Sequence, residues 1–220
     1  MRWVIDRMEL EDVPQVLEVD RESYTVPWPA GAYRREIMHN RNAHYYVLRE
    51  LQGEDVEETP ETDDTRARRA LPFFPWRRGD QPRPGTIIGY AGMWLILDEA
   101  HVTTIAVREA KRGLGLGELL LASLIEAAME MGADRVTLEV RVSNLPAQRL
   151  YEKYGFAREG VRPRYYSDNN EDAYIMSVSQ IRSDEYRRSL DNLIAGLYER
   201  LRRPDLEVRS PVVSFAQGEE

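Results

Sequence analysis

Apolar and polar positions follow one another along this chain with two different periods. A period of two, or a short apolar run bounded by turn residues, predicts a strand. Apolar residues spaced three and four positions apart predict a helix with one buried face. Strands are predicted at residues 3–7, 44–49, 86–97, 101–107, 136–140, 156–166 and 173–178, and helices at 10–20, 32–38, 120–131, 145–154 and 182–203. This mixed order of elements predicts an α/β domain.

One segment interrupts this order. Residues 53–85 are first acidic and then basic, and they contain the apolar block LPFFPW. We predict an expanded loop insert in which Phe73, Phe74 or Trp76 packs on the body or on a neighbouring subunit, because so apolar a block is unfavourable in water. A loop without that contact is the alternative.

The C-terminal part of the chain is a second addition. Residues 182–203 form a charged predicted helix whose apolar positions lie on one side, and a polar tail follows. That helix is expected to pack on the body or on another subunit. We therefore predict a main domain at 1–179, with the insert at 53–85, and an extension of helix and tail at 180–220.

Composition and charge narrow the class of protein. Hydrophobic residues make up 42% of the 220 residues and charged residues 31%, which is typical of a globular domain. No apolar run approaches the roughly 20 residues of a bilayer span, and the start MRWVIDRMELEDV has no apolar stretch typical of a signal peptide. We expect a cytoplasmic protein with no membrane role. The net charge of -8 argues against a nucleic-acid partner and favours a cationic one, such as an amine or a basic peptide.

The residue types that most often build metal and redox sites are scarce. The chain has no cysteine, which excludes disulfides, a cysteine nucleophile and a thiolate metal site. Its three histidines, His39, His44 and His101, do not have metal-ligand spacing. We therefore expect no metal.

The strongest chemical motif is TIAVREAKRGLGLGELL at 104–120, where an apolar strand passes through three glycines into a helix. A helix N-terminus has unpaired N–H groups and the positive end of the helix dipole, and glycines there let a phosphate approach closely. A dinucleotide fingerprint would need a glycine where Glu118 stands, and a Walker loop would need a Gly-Lys-Ser/Thr that is missing. The motif predicts a different phosphate-containing ligand.

Residues 112–117, RGLGLG, fit the pattern R-x-x-G-x-G. Together with the segments LDEAHVTTIAV, LEVRVSNLPAQRLYEKYGF and YYSDNNEDAYIM, they resemble the GNAT superfamily of N-acetyltransferases. The sequence is most similar to the ribosomal-protein-alanine N-acetyltransferases and the archaeal protein N-terminal acetyltransferases. The resemblance covers residues 1–50 and 86–179. It implies a mixed, mainly antiparallel sheet that is splayed at the cofactor site and flanked by helices, with the insert and the C-terminal helix as additions.

The resemblance implies acetyl-coenzyme A (acetyl-CoA) as co-substrate. The glycine turn would hold its pyrophosphate, the main chain of strand 105–107 would pair with its pantetheine arm and polarise the acetyl carbonyl, and Asn144 would bond the arm while capping the next helix. The implied cofactor-binding residues are Ile105, Ala106, Val107, Arg112, Gly113, Leu114, Gly115, Leu116, Gly117, Glu118 and Asn144.

Two residues acquire catalytic roles from the resemblance. Glu139 lies on the face of its strand opposite Val136, Leu138 and Val140, and its spacing alone is also typical of a solvated glutamate. In the family this position is the base that takes a proton from the amine, directly or through water. Tyr151, which spacing alone would place among core aromatics, matches the acid that protonates the departing thiolate.

The resemblance also implies residues that bind the acceptor peptide. Trp28, Tyr165 and Tyr166 match family positions that line the peptide slot, although all three residues can equally be aromatics packed against loops. Pro29 departs from the family, where a small polar residue is common, and this puts fine substrate choice in doubt.

These features predict direct acetyl transfer to a protein N-terminal amine, with the N-terminal alanine of small ribosomal subunit protein eighteen as the specific acceptor. A broader N-terminal or small-amine acetyltransferase is one alternative, and a non-catalytic acetyl-CoA-binding module is another. The protein is expected to be a monomer or a weak dimer.

Overall fold

The computed structural model describes residues 2–51, 85–201 and 207–209. Most of the predicted insert, with Phe73, Phe74 and Trp76, lies outside the described residues. The strands are β1 (Arg2–Arg7), β2 (Ala43–Leu51), β3 (Thr86–Ile96), β4 (Glu99–Val107), β5 (Arg135–Arg141), β6 (Ala157–Tyr166), β7 (Glu171–Ser179) and β8 (Glu207–Arg209). The helices are α1 (Val13–Ser23), α2 (Ala30–His39), α3 (Leu116–Glu130), α4 (Leu145–Lys153) and α5 (Asp184–Leu201).

The strands form one sheet in the order β6-β7-β5-β4-β3-β2-β1-β8. Among the described strands, the pairs β4–β5 and β1–β8 are parallel and the other pairs are antiparallel. The prediction of a mixed, mainly antiparallel sheet is therefore confirmed. The three-residue strand β8 was not predicted, because its pairing with β1 joins opposite ends of the chain and gives no local pattern.

The sheet separates at its centre. Strands β4 and β5 pair from Glu99 with Arg135 as far as Val102 with Leu138. Beyond that point, Thr104–Val107 stay paired with β3 but no longer with β5. The predicted splay is confirmed, and it leaves one edge of β4 available to a ligand.

Two apolar cores lie on the two faces of the sheet. Alternate side chains of β2 point to opposite faces, so Tyr46 and Leu48 belong to one core and Tyr45 and Val47 to the other. Helices α3 and α5 cover the first core, and α1 and α2 cover the second. The helices therefore flank the sheet, as predicted, and the structure places them on both of its faces.

The C-terminal helix packs on the body of its own chain. Leu190, Leu197 and Leu201 of α5 are buried in the core that α3 also covers. The Tyr186 hydroxyl donates a hydrogen bond to the Tyr154 main-chain oxygen at 3.0 Å. Within the described residues, no helix has the length and apolar character that crossing a membrane requires.

Candidate active site

A cleft of about 310 Å³ opens where β4 and β5 separate. Its walls come from β4, the glycine turn with the start of α3, and one face of α4. The lining residues are Ile105, Val107, Arg112, Gly113, Gly115, Leu116, Gly117, Asn144, Pro146, Ala147, Leu150 and Tyr151. Most of the cofactor-binding residues that the sequence predicted therefore meet in one place.

Three predicted cofactor residues do not line this cleft. The Ala106 side chain is buried in the core beneath α1 and α2, on the other face of β4. Leu114 is exposed at the tip of the glycine turn. The Glu118 carboxylate points elsewhere, because its Oε1 atom accepts hydrogen bonds from Lys153 Nζ at 2.5 Å, Arg200 Nη2 at 2.7 Å and the Tyr154 hydroxyl at 3.0 Å.

The start of α3 is built to accept an anion. Gly115 precedes the helix with φ at 86°, a left-handed conformation that favours glycine, and no side chain caps the helix. The N–H groups of the first turn have no acceptor within the helix. A Cβ built on Gly117 would meet nothing within 4 Å. The resemblance implies that the diphosphate of acetyl-CoA occupies the open space beside these N–H groups.

Helix α4 turns one face toward the cleft. Asn144 caps the helix, since its Oδ1 accepts a hydrogen bond from the Ala147 N–H at 3.2 Å, and it also lines the cleft. Ala147 and Tyr151 follow at helical spacing on the same face. Pro146, Ala147 and Leu150 were not predicted as site residues. Helical spacing indicates only Ala147 among them, because it lies three residues after Asn144 and four before Tyr151.

Tyr151 lies between the cleft and the core. Its ring centroid is 5.8 Å from that of Phe156. Burial raises the pKa of Tyr151 above its ordinary value, and the nearby Tyr24 and Tyr166 add to this effect. The Tyr151 phenol is therefore neutral at physiological pH and can donate a proton or a hydrogen bond.

Glu139 lies on β5, one residue beyond its last pairing with β4. Its side chain is only 6% exposed, with Oε2 at 3.0 Å from His101 Nε2 and Oε1 at 2.9 Å from Arg162 Nε. Burial favours a higher pKa, but the hydrogen bond from His101 and the charges of His101 and Arg162 outweigh it and hold the pKa of Glu139 below its usual value. Glu139 is therefore an ionised carboxylate at neutral pH, close to the splay but not in the lining of the cleft.

His101 is a site residue that the sequence prediction missed. It pairs in register with Thr137 on β5, so Glu139, two residues further on, extends from the same face of the sheet. Trp94 stacks on the His101 ring with centroids 6.4 Å apart. The sequence alone did not reveal that β4 and β5 are neighbours in this register, and without that knowledge His101 was only one of three scattered histidines.

The predicted acceptor residues lie on two separate segments outside the cleft lining. The Trp28 N–H donates to Asp20 Oδ2 at 2.7 Å, which ties the loop between α1 and α2 to a buried carboxylate. Tyr165 and Tyr166 form an edge-to-face pair with centroids 5.1 Å apart. The Arg141 guanidinium lies 3.8 Å from the Tyr166 ring centroid.

A hydrogen-bond network that the sequence did not predict connects α1 with β3 and β4. The buried Asp20 accepts from the hydroxyls of Tyr33 and Tyr90. The Tyr24 hydroxyl lies 3.0 Å from Thr104 Oγ1 and donates to the Ile105 main-chain oxygen at 3.1 Å. Helix α1 therefore positions the Trp28 loop through Asp20. It also positions Tyr24, which follows the helix directly and contacts the strand that lines the cleft.

Known proteins match this chain across the parts that form the cleft. The sequence profile of the acetyltransferase (GNAT) family matches residues 13–156. A Bacillus subtilis (strain 168) protein described as a candidate ribosomal protein bS18-alanine N-acetyltransferase is 36% identical over 175 residues, covering 80% of this chain and 94% of that protein. An N-alpha-acetyltransferase of Sulfurisphaera tokodaii is 31% identical, with coverages of 79% and 91%. The crystal structure of the ribosomal-protein-S18-alanine N-acetyltransferase from Escherichia coli aligns with a TM-score of 0.61 at 26% identity, covering 81% of this chain and 94% of that one.

Proposed function

The chain belongs to the acetyltransferase (GNAT) family, and from this premise we propose that it moves an acetyl group from acetyl-CoA to the N-terminal amine of a protein. The observation that carries the proposal is the ionised Glu139 at the point where β4 and β5 separate, next to a cleft whose walls include an anion-accepting helix N-terminus and the neutral phenol of Tyr151. Such a site can accept a proton through the Glu139 carboxylate and donate one through the Tyr151 phenol.

The cleft offers groups for each part of acetyl-CoA. The first turn of α3 receives the diphosphate through its main-chain N–H groups. The edge of β4 that no longer pairs with β5 offers main-chain groups of Ile105 and Val107 to the amides of the pantetheine arm, and Asn144 at the start of α4 offers a further polar contact. In this structure the Ile105 oxygen accepts from the Tyr24 hydroxyl and the Val107 oxygen from Arg112 Nε. A β4 N–H group directed at the acetyl carbonyl stabilises the negative charge that develops on its oxygen during attack.

Proton transfer accompanies the exchange of bonds. An α-amino group has a pKa of about 7.7–8.0 and is mostly protonated at neutral pH, so a proton must leave before the nitrogen can attack. Glu139, next to His101, accepts that proton directly or through water and passes it to solvent, since its own pKa is low. The amine nitrogen then bonds to the acetyl carbon, the carbon–sulfur bond breaks, and Tyr151 donates a proton to the departing thiolate. The nitrogen loses its second proton as the amide forms, and an equivalent proton returns from solvent to the Tyr151 oxygen.

The proposed acceptor is the N-terminal alanine of ribosomal protein bS18. Two of the similar proteins are named for this substrate, and a third is named for N-terminal acetylation in general. The aromatic side chains of Trp28, Tyr165 and Tyr166 offer a surface for the first residues of a peptide. The net charge of -8 favours the approach of a positively charged N-terminus.

Steady-state kinetics with several amines test this proposal. Peptides beginning with Ala, Ser and Met, each with the following bS18 residues, are compared with spermidine at saturating acetyl-CoA. We expect the highest kcat/KM on the Ala peptide. Equal rates on all three peptides would indicate the broader specificity, a preference for spermidine would indicate a small-amine enzyme, and no transfer to any amine would contradict catalysis altogether. The predicted cytoplasmic location and the monomeric or weakly dimeric state stay predictions.

A further inference from the structure

Helix α5 lies outside the range that matches the family, yet its last turns reach the glycine turn. A Cβ built on Gly115 would lie 3.4 Å from Leu197 Cδ1 and 3.4 Å from Leu201 Cδ2. Both leucines are buried. Leu197 and Leu201 of the C-terminal helix thus pack against the turn that precedes α3.

One carboxylate oxygen joins three helices at this place. Glu118, in the first turn of α3, accepts through Oε1 from Lys153 at the end of α4 and from Arg200 of α5, at 2.5 Å and 2.7 Å. The Tyr154 hydroxyl at 3.0 Å completes the set. Because α3 and α4 are two walls of the cleft, this oxygen links those walls to each other and to α5.

Arg200 also changes the net charge of the cluster that Glu118, Lys153 and Arg200 form. An unpaired glutamate in the first turn of α3 would repel a diphosphate at the helix N-terminus. Lys153 neutralises Glu118, and Arg200 then leaves one net positive charge beside the anion-accepting turn. The cluster is partly screened by solvent, since the Glu118 side chain is 13% exposed and the Arg200 side chain 53%.

We propose that α5 is a positioning element for acetyl-CoA. Arg200, acting through Glu118, holds the first turn of α3 against α4 and adds positive charge beside that turn. The proposal rests on the proposed function, because it assigns a role to residues around the same cleft. Arg200 is a positioning residue here and does not touch the reacting atoms.

Three variants test this role. Arg200→Ala removes the ion pair, Arg200→Lys keeps the charge, and Arg188→Ala removes an exposed arginine elsewhere on α5. We expect the Kd of CoA, measured by calorimetry, to rise about threefold in Arg200→Ala, which is the range for a partly exposed ion pair. The KM of acetyl-CoA should rise in parallel, while kcat and the KM of the peptide stay unchanged. Arg200→Lys should keep a Kd close to that of the wild type.

Melting temperatures and Kd values together distinguish a role of Arg200 in CoA binding from a role in fold stability alone. A lower melting temperature of Arg200→Ala with an unchanged Kd for CoA would overturn it, as would an equal loss of affinity in Arg188→Ala. If the wild-type protein binds CoA but acetylates no amine, the proposed function fails, while the comparison of Kd values still decides the role of Arg200. If the wild-type protein binds no CoA, both proposals are overturned.

Discussion

The Nε2 atom of His101 and the Oε2 atom of Glu139 lie 3.0 Å apart on two neighbouring parallel strands, next to the last residues through which those strands pair. The contact holds a nearly buried carboxylate in one orientation at the entrance to the splayed part of the sheet. It also keeps Glu139 ionised, because the hydrogen bond and the nearby positive charges outweigh the effect of burial on its pKa. The site therefore contains an oriented proton acceptor before any substrate arrives.

Replacing Glu139 with glutamine tests the proton acceptor. Glu139→Gln keeps the size of the side chain but removes its charge, so we expect kcat with the Ala peptide to fall by about 10²-fold to 10⁴-fold, the range for a general base. The KM of acetyl-CoA should change little, because Glu139 does not line the cleft. Glu152→Gln, an exposed change on α4, is the matched control and should behave as the wild type. A wild-type rate in Glu139→Gln would remove Glu139 from the role of base.

Replacing His101 tests the cause of the low pKa of Glu139. His101→Asn leaves the carboxylate buried but removes the hydrogen bond and charge that lower its pKa. The pKa of Glu139 should therefore rise, and the acidic limb of the kcat/KM profile should move to higher pH. His39→Asn, an exposed change on α2, serves as the control. An acidic limb at the same pH in both variants would mean that His101 does not set the ionisation of the base.

Replacing Tyr151 with phenylalanine tests the proton donor. Tyr151→Phe keeps the ring contact with Phe156 and removes the hydroxyl. We expect kcat to fall by at least about 10²-fold, the lower end for general acid catalysis, with little change in the KM of acetyl-CoA. Tyr174→Phe removes a tyrosine hydroxyl outside the cleft lining and keeps the ring that contacts Arg158. Equal kcat values for the two variants would contradict the role of Tyr151.

Gly117 offers a variant in which fold stability and cofactor binding should change in opposite directions. Alanine stabilises a helix by about 0.5–1 kcal/mol relative to glycine, and a Cβ at residue 117 meets no protein atom within 4 Å. Gly117→Ala should therefore raise the melting temperature while its methyl group blocks the diphosphate and weakens acetyl-CoA binding about tenfold. Gly31→Ala, at the equivalent second position of α2 and with equally open space, should raise stability alone. Unchanged acetyl-CoA affinity in Gly117→Ala would mean that the diphosphate lies elsewhere.

The sequence predicted those features of the site that depend on residues close together in the chain. The three-glycine turn, the apolar stripe of α3 and the Asn144 cap lie within short stretches, and the structure has each of them where it was predicted. The pairing of His101 with Glu139 depends instead on which strands are neighbours and in which register. The hydrogen bond between Arg200 and Glu118 depends on how the C-terminal helix packs. Contacts between residues far apart in the chain leave no period in the sequence.

Long-range packing also explains the hydrogen bonds of Asp20. In the sequence, Asp20 follows Val13, Val16 and Leu17 at helical spacing, on a face where a carboxylate is unexpected. The structure shows that two tyrosine hydroxyls and the Trp28 N–H satisfy it, which agrees with the rule that buried charges are hydrogen-bonded. A polar residue at a buried helical position was therefore the one local indication of this network.

The most direct test of the central claim is mass spectrometry of a peptide with the N-terminal sequence of bS18 after incubation with the protein and isotope-labelled acetyl-CoA. The fragment spectrum locates the acetyl group on the α-amine or on a lysine side chain. We expect one labelled acetyl group on the N-terminal alanine, and an almost unmodified peptide with Glu139→Gln. A peptide that stays unmodified by the wild-type protein, or that carries the label only on lysine, would contradict the account.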